Sequence, residues 1–185
     1  MTLPETSLRQ HPYPMIRGGG MFVFLMGLGI AAGAFLGERR FVAPLIIGFT
    51  SAFVAQSLFA RRLTRSLGKP TRAQVMALAG AILLEFVLTG AVFYFFRHDF
   101  ASGSSLRGFW LWILLVVGIH FPMMAVAQGP WMLLLGGLCI LNAIAGLLLP
   151  NVPLVIFWFM DGALKMLIGA RMFMAQPIEH VSRES

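Results

Sequence analysis

The sequence predicts an all-α fold: a polytopic membrane bundle of six transmembrane helices joined by short hairpin loops. Of the 185 residues, 58% are hydrophobic and 11% are charged, whereas a soluble domain has about 25% charged residues. The apolar stretches are about 20 residues long, which is the length of a helix that crosses a hydrocarbon core and too long for a barrel strand. The lipid bilayer is therefore the expected environment of the chain.

The lengths of the apolar stretches, and the proline and glycine residues between them, predict six spans. These are, in order, 18–36, 42–60, 73–96, 109–127, 130–149 and 153–173. The first begins in "RGGGMF", the second ends at the basic stretch "RRLTRSLGKPTR", and the third ends before Arg97. The fourth opens with aromatic residues typical of the membrane interface, Phe109, Trp110 and Trp112. The connections "GERRF", "QGP" and "PNVP" are so short that consecutive helices are expected to be antiparallel neighbours.

These spans predict a tail at 1–17, a transmembrane domain at 18–175 and a second tail at 176–185. The first span has an alternative interpretation as a signal peptide, because "AGA" at 32–34 resembles a cleavage site. A retained helix is favoured, since the apolar run continues past that site and Gly29, Gly33 and Gly37 are spaced four apart. Such a glycine face lets another helix approach closely. It is also a candidate interface for a homodimer.

The basic residues predict the orientation. With six spans, both termini share a side with the 61–72 loop, and that side carries nine Lys and Arg residues against four on the other. The positive-inside rule therefore predicts a bacterial-type inner (plasma) membrane protein with both termini in the cytoplasm. Anionic lipid is a candidate partner of the loop, through Arg61, Arg62, Arg65, Lys69 and Arg72. Nucleic acid is not an expected partner, because the basic residues cluster between apolar spans.

Polar side chains near the middle of the predicted spans form the candidate site: Glu85, His120, Asn142, Asp161 and Lys165. A charged residue at the bilayer centre costs about 2.5 to 3.5 kcal/mol even on the lower scales. We therefore expect these side chains to face inward and towards one another. A strip of small residues, Ala73, Ala77 and Ala81, leads to Glu85 at intervals of four, which indicates a helix interface rather than a lipid-facing surface.

The charges of this cluster favour a substrate or proton site. With Glu85 and Asp161 ionised, Lys165 protonated and His120 neutral, the net charge is −1. A proton on either His120 or Glu85 would bring it to zero, so the cluster should exchange a proton readily. This predicts proton- or cation-coupled transport of a small solute, with Asn142 as an orienting hydrogen-bonding group.

Two other function classes stay open. Asp161 and Lys165 are four residues apart in the order that favours an intrahelical ion pair, so the cluster could serve only to hold helices in register in an accessory or structural protein. An intramembrane enzyme is less favoured, because no nucleophile–base pair is evident. No cofactor or metal site is predicted: Cys139 is the one cysteine, and no HxxxH or HExxH spacing occurs. No motif assigns the chain to a named family.

Overall fold

The computed structural model describes residues 11–36, 40–65, 67–102 and 106–176. These ranges contain six helices: α1 (Ile16–Ala34), α2 (Val42–Arg65), α3 (Arg72–Ser102), α4 (Arg107–Gln128), α5 (Trp131–Leu148) and α6 (Leu154–Phe173). The predicted all-helical, six-helix bundle is confirmed. Helices α1 to α5 are long and apolar enough to cross a membrane. Helix α6 has 20 residues but carries three charged side chains, Asp161, Lys165 and Arg171.

Turn and capping residues set the ends of several helices. Gly129 ends α4 with a φ of +93°, a conformation that a residue with a Cβ rarely adopts. Pro130 and Pro153 precede α5 and α6, where the missing amide hydrogen is not needed for helix hydrogen bonds. Helix α3 starts with a capping box, in which Gln74 N–H donates to Thr71 Oγ1 and Thr71 N–H donates to Gln74 Oε1.

Two helices are longer than the sequence predicts. Helix α3 was expected to end at residue 96 but continues to Ser102, and its 31 residues correspond to about 46 Å. Helix α2 continues into the basic stretch as far as Arg65. The stretch "RHDFAS" contains neither Gly nor Pro, so its charged residues end the apolar span without ending the helix.

Four helices form the centre of the bundle. Helix α1 makes its most extensive contact with α6, α6 also packs against α5, α5 packs against α4, and a smaller contact joins α4 to α1. Helix α2 packs mainly against α1, and α3 mainly against α4. Only 11% of the α2 and α3 spans is buried, compared with 56% of α1 and 50% of α4. These two are the outer helices.

Contacts between facing glycines show that α1 and α6 are antiparallel. A Cβ added to Gly20 would lie 2.6 Å from the Gly169 carbonyl oxygen, and a Cβ added to Gly27 would lie 2.6 Å from that of Gly162. The start of α1 therefore lies beside the end of α6, where Arg17 Nε donates to the Ala175 carbonyl at 2.7 Å. We call this the termini end of the bundle.

The connection between α2 and α3 also lies at the termini end. His11 N–H donates to the Leu67 carbonyl at 2.9 Å, and Gln74 Nε2 donates to the Pro12 carbonyl at 2.7 Å. The turn between α5 and α6 lies at the opposite end, since each helix runs antiparallel to the next. Arg107 caps α5 there, with its guanidinium donating to the carbonyls of Gly146, Leu149 and Val152.

Candidate functional site

The pair Asp161–Lys165 lies on the buried face of α6. Lys165 Nζ donates to Asp161 Oδ2 one helical turn away, and the two residues are 1% and 0% exposed. Residues at intervals of three and four along this face are also buried: Trp158, Ile168 and Met172. Both charges thus occupy core positions of a helix seam, where an ion pair is tolerated only because each partner neutralises the other.

Glycines in α1 and α6 make this burial sterically feasible. A Cβ added to Gly27 would lie 2.8 Å from Lys165 Cβ, and a Cβ added to Gly162 would lie 2.7 Å from the Ala31 backbone nitrogen. The two helix backbones therefore approach too closely to leave room for a Cβ at these positions, and the backbone of α1 covers the stem of Lys165. The glycines recur every seven residues, Gly20 and Gly27 in α1 and Gly162 and Gly169 in α6, a spacing that keeps them on the same face of each helix.

On its other side, Lys165 faces α4 and α5. Lys165 Nζ lies 3.8 Å from Cys139 Sγ of α5 and 5.6 Å from the centre of the Phe121 ring of α4. Asp161 Oδ1 is buried and has no hydrogen-bond partner among the residues described. A buried carboxylate oxygen without a donor is costly. Among the residues described, the Asp161 carboxylate is therefore satisfied through Oδ2 alone.

A second pair joins the outer helix α3 to α4. His120 Nε2 lies 3.6 Å from Glu85 Oε2, which is too long for a hydrogen bond but close enough for an ion pair when the imidazole is protonated. The His120 side chain is buried, whereas the Glu85 side chain is 35% exposed. The ammonium of Lys165 acts electrostatically on both Glu85 and His120. The four residues therefore form one electrostatic cluster, with Lys165 inside and Glu85 at its edge.

Residues 7–182 match a protein family described as "Family of unknown function (DUF6609)". The chain belongs to this family. No match was found among curated proteins or among solved structures. The description of DUF6609 assigns no activity, so the interpretation of this family member depends on the chemistry of the cluster.

Asn142, the fifth predicted site residue of this DUF6609 protein, lies apart from the cluster. Its Nδ2 donates to the Phe157 carbonyl at 2.9 Å, which joins α5 to the first part of α6. The residues described show no hydrogen bond between Asn142 and Asp161 or Lys165. Its amide is thus satisfied by the α6 backbone, and it does not orient the charged side chains.

The small-residue strips that the sequence singled out have different surroundings. Gly29 and Gly33 of the DUF6609 protein face α2, where added Cβ atoms would lie 2.8 Å from Gly48 Cα and 2.7 Å from the Phe41 ring. This part of the proposed homodimer face is therefore covered by the chain's own second helix; Gly37 lies outside the described residues. In α3, Ala73 is exposed, Ala77 is half-buried and Ala81 is fully buried.

The candidate lipid-binding residues lie at the termini end. Arg62, Lys69 and Arg72 are exposed, as contact with lipid headgroups requires. Arg61 and Arg65 belong to α2, and their side chains lie outside the described part of the structure. Binding of anionic lipid by these basic residues remains a prediction.

The sequence missed Cys139 as a neighbour of the pair, because a lone mid-span cysteine resembles ordinary apolar filling. A signal was available in its depth, since Cys139 lies near the middle of α5, as Asp161 and Lys165 lie near the middle of α6. No group of three or more His, Cys, Asp or Glu side chains suited to a metal occurs in the part of the chain that the structure describes.

Proposed function

We propose that this protein is a multi-pass protein of a bacterial-type inner membrane that couples proton or cation binding at the buried cluster to movement of a small solute. The observation that carries the proposal is the convergence of Asp161, Lys165, His120 and Glu85 at mid-depth, from three helices. Ionisable residues inside membrane segments are costly and commonly mark proton or solute pathways. The net charge of −1 with His120 neutral supports uptake of one proton.

Different degrees of exposure support a direction for that exchange. Glu85 is 35% exposed at the α3–α4 seam, and His120 lies buried behind it. Lys165 and Asp161 lie further inside. A proton arriving at Glu85 would pass to His120, and the charged imidazole would then face the Glu85 carboxylate at 3.6 Å. Solute would move when α3, the loosely packed helix, changes its contact with α4.

The test is proton flux in liposomes of phosphatidylcholine and phosphatidylglycerol that contain the purified protein and the trapped pH dye pyranine. A potassium gradient with valinomycin imposes a membrane potential. We expect flux above that of protein-free liposomes, and a decrease of at least tenfold in Glu85→Gln and His120→Leu. Thr89→Val is the matched control, since Thr89 lies one turn from Glu85 on α3. Wild-type flux equal to that of empty liposomes would rule out proton movement.

A second candidate function is that of an accessory or structural protein in which the cluster only holds the helices in register. The complete burial of Asp161 and Lys165 and their direct contact favour it, because such a pair neutralises itself without any ligand. In that case the wild type, Glu85→Gln and His120→Leu would all show the proton flux of empty liposomes. The stability of the bundle would still depend on the Asp161–Lys165 pair.

We propose that both termini are cytoplasmic, as the positive-inside rule predicts. Support comes from the basic connection between α2 and α3, which lies at the termini end with exposed Lys69 and Arg72. Single cysteines at Lys69 and Asn151, both exposed and at opposite ends, give a matched pair for labelling of intact cells, since the native Cys139 is buried. Labelling of Lys69→Cys but not Asn151→Cys by an impermeant maleimide would contradict the orientation.

A further inference from the structure

The Glu85 carboxyl group lies near the middle of α3, at the edge of the contact between α3 and α4. Its side chain is 35% exposed, and His120, at 3.6 Å, is its ion-pair partner. Glu85 makes no hydrogen bond to any other residue that the structure describes. A carboxylate has about four acceptor positions, so those of Glu85 are available to a ligand.

The surface around the exposed part of Glu85 is apolar. Ile82 lies one turn before Glu85, Phe86 is the next residue, and Phe93 lies two turns further along the same side of α3. These three side chains are 41, 67 and 50% exposed. In a bilayer such a surface contacts acyl chains, because α3 is an apolar span of which only 11% is buried. A ligand would therefore reach Glu85 from the hydrocarbon rather than from water.

The charges behind Glu85 leave it without full compensation. Lys165 donates to Asp161 in a buried pair, so these two charges cancel. When His120 is neutral, the remaining charge of −1 belongs to Glu85. An uncompensated carboxylate near the bilayer centre is costly. The cluster is therefore expected to hold either a proton or a compensating cation.

We propose that Glu85 binds a lipophilic organic cation, which reaches the carboxylate from the hydrocarbon beside α3. This rests on the proposed function and names the substrate class of the same site. A hydrated metal ion is unsuited to this position, because one carboxylate cannot replace the six to eight oxygen ligands, or about that number, that such an ion takes. An organic cation keeps its apolar groups against the exposed side chains, and the Phe86 ring adds a favourable face for its charge.

The same charges predict competition between this cation and a proton. A proton on Glu85 removes the carboxylate charge, and a proton on His120 supplies a cation at 3.6 Å. Lys165 and Asp161, the other ionisable groups of the cluster, already cancel each other. Binding of the organic cation therefore requires release of the proton. This exchange would couple the proton movement of the proposed function to movement of the cation.

The test is equilibrium dialysis of radiolabelled tetraphenylphosphonium against the full-length protein in phosphatidylcholine nanodiscs, with empty nanodiscs as the blank. The charge of this probe is permanent, so a change of pH acts only on the protein. We expect binding above the blank at alkaline pH and weaker binding at acid pH, where protons occupy the cluster. Tetraphenylborate has the same shape and the opposite charge, and its binding should not exceed the blank.

Variants of α3 assign the binding to one carboxylate. Glu85→Gln removes the charge with little change of shape and should weaken binding about tenfold or more, because an ion pair is lost. Glu85→Asp keeps a carboxylate and should restore most of the affinity. Asp99→Asn is the matched control, since it removes the other carboxylate of α3, near the end of the helix; it should bind as wild type. If Glu85→Gln does not fold, the pH dependence and the tetraphenylborate comparison decide the outcome.

Cation binding and proton flux are measured separately, so their failures are distinguishable. His120→Leu keeps the Glu85 carboxylate and should still bind tetraphenylphosphonium even when its proton flux is lost. Binding by wild type without proton flux would support the cation site and remove the proposed transport, whereas proton flux without binding would overturn the cation site alone. Binding of tetraphenylborate equal to that of tetraphenylphosphonium would also overturn it, as would an affinity that Glu85→Gln leaves unchanged.

Discussion

The two charged pairs of this protein are held in opposite ways. Asp161 and Lys165 belong to one helix and are covered by the backbone of α1 at a seam of facing glycines. His120 belongs to α4 and Glu85 to α3, and α3 packs mainly against α4. The inner pair therefore forms whenever α6 folds and packs, whereas the outer pair exists only while α3 stays against α4.

This difference assigns the two pairs different physical roles. A buried pair that loses one partner leaves an unsatisfied charge in a medium of low dielectric constant. The outer pair is not in hydrogen-bond contact, at 3.6 Å, and polar contacts between membrane helices average about 0.6 kcal/mol, so it can separate at a smaller cost. We therefore expect the inner pair to contribute chiefly to the integrity of the bundle, and we assign the proposed proton exchange to the outer pair.

The largest expected effect is at the inner pair. Asp161→Asn leaves the Lys165 ammonium buried without its counter-charge, and the free energy of unfolding should fall by about 3 to 5 kcal/mol. The double variant Asp161→Asn with Lys165→Met removes both charges and should recover most of that loss. Denaturation with sodium dodecyl sulfate in mixed micelles measures both values.

Glu85→Gln is the control for this prediction, since it removes one carboxylate of the same cluster at a half-exposed position. Because polar contacts between membrane helices average about 0.6 kcal/mol, its unfolding free energy should stay within about 1 kcal/mol of wild type. If Asp161→Asn were as stable as Glu85→Gln, the inner pair would contribute nothing to stability, and the contrast between the two pairs would disappear.

Much of the fold and part of the site could be predicted from the sequence. Proline and glycine near residues 129–130 and 150–153 mark the turns before α5 and α6. Depth within the spans was sufficient to group Asp161, Lys165, His120 and Glu85. Depth does not specify a helix face, however, and so Asn142 was grouped with them although it bonds to the Phe157 carbonyl.

The partner of each helix face could not be predicted in the same way. In a membrane helix, the surface that faces lipid is as apolar as the surface that faces protein, so only small and polar residues mark an interface. Gly29 and Gly33 were recognised by their spacing, but nothing in that spacing indicated α2 as their partner. Gly27 and Gly162 lie in different helices, and only the structure shows that they face each other.

Substitutions at this glycine seam, where α1 faces α6, should lower the free energy of unfolding by an intermediate amount. In Gly27→Ala or Gly162→Ala, the new methyl group would lie 2.6 or 2.7 Å from a backbone oxygen of the facing helix, so α1 and α6 must move apart. Overpacking of this kind costs about 1 to 3 kcal/mol. Gly90→Ala in α3 is the matched control, because no atom lies within 4 Å of its added Cβ. It should be neutral or stabilising by up to about 1 kcal/mol.

Denaturation with sodium dodecyl sulfate in mixed micelles measures the free energy of unfolding of all three glycine variants under the same conditions. Equal stability of Gly162→Ala and Gly90→Ala would show that the α1–α6 seam is no tighter than the outer surface of α3. The inner pair would then owe its burial to other contacts.

The smallest expected effect is the coupling within the outer pair, measured by a double-mutant cycle of Glu85→Gln and His120→Leu. Polar contacts between membrane helices average about 0.6 kcal/mol, and the 3.6 Å separation of these two side chains places their coupling at or below that value. A coupling energy above about 2 kcal/mol would mean that Glu85 and His120 interact as strongly as a buried pair such as Asp161 and Lys165. Since α3 packs mainly against α4, a weak coupling would let this helix separate from His120, which is the movement that the proposed proton exchange at Glu85 requires.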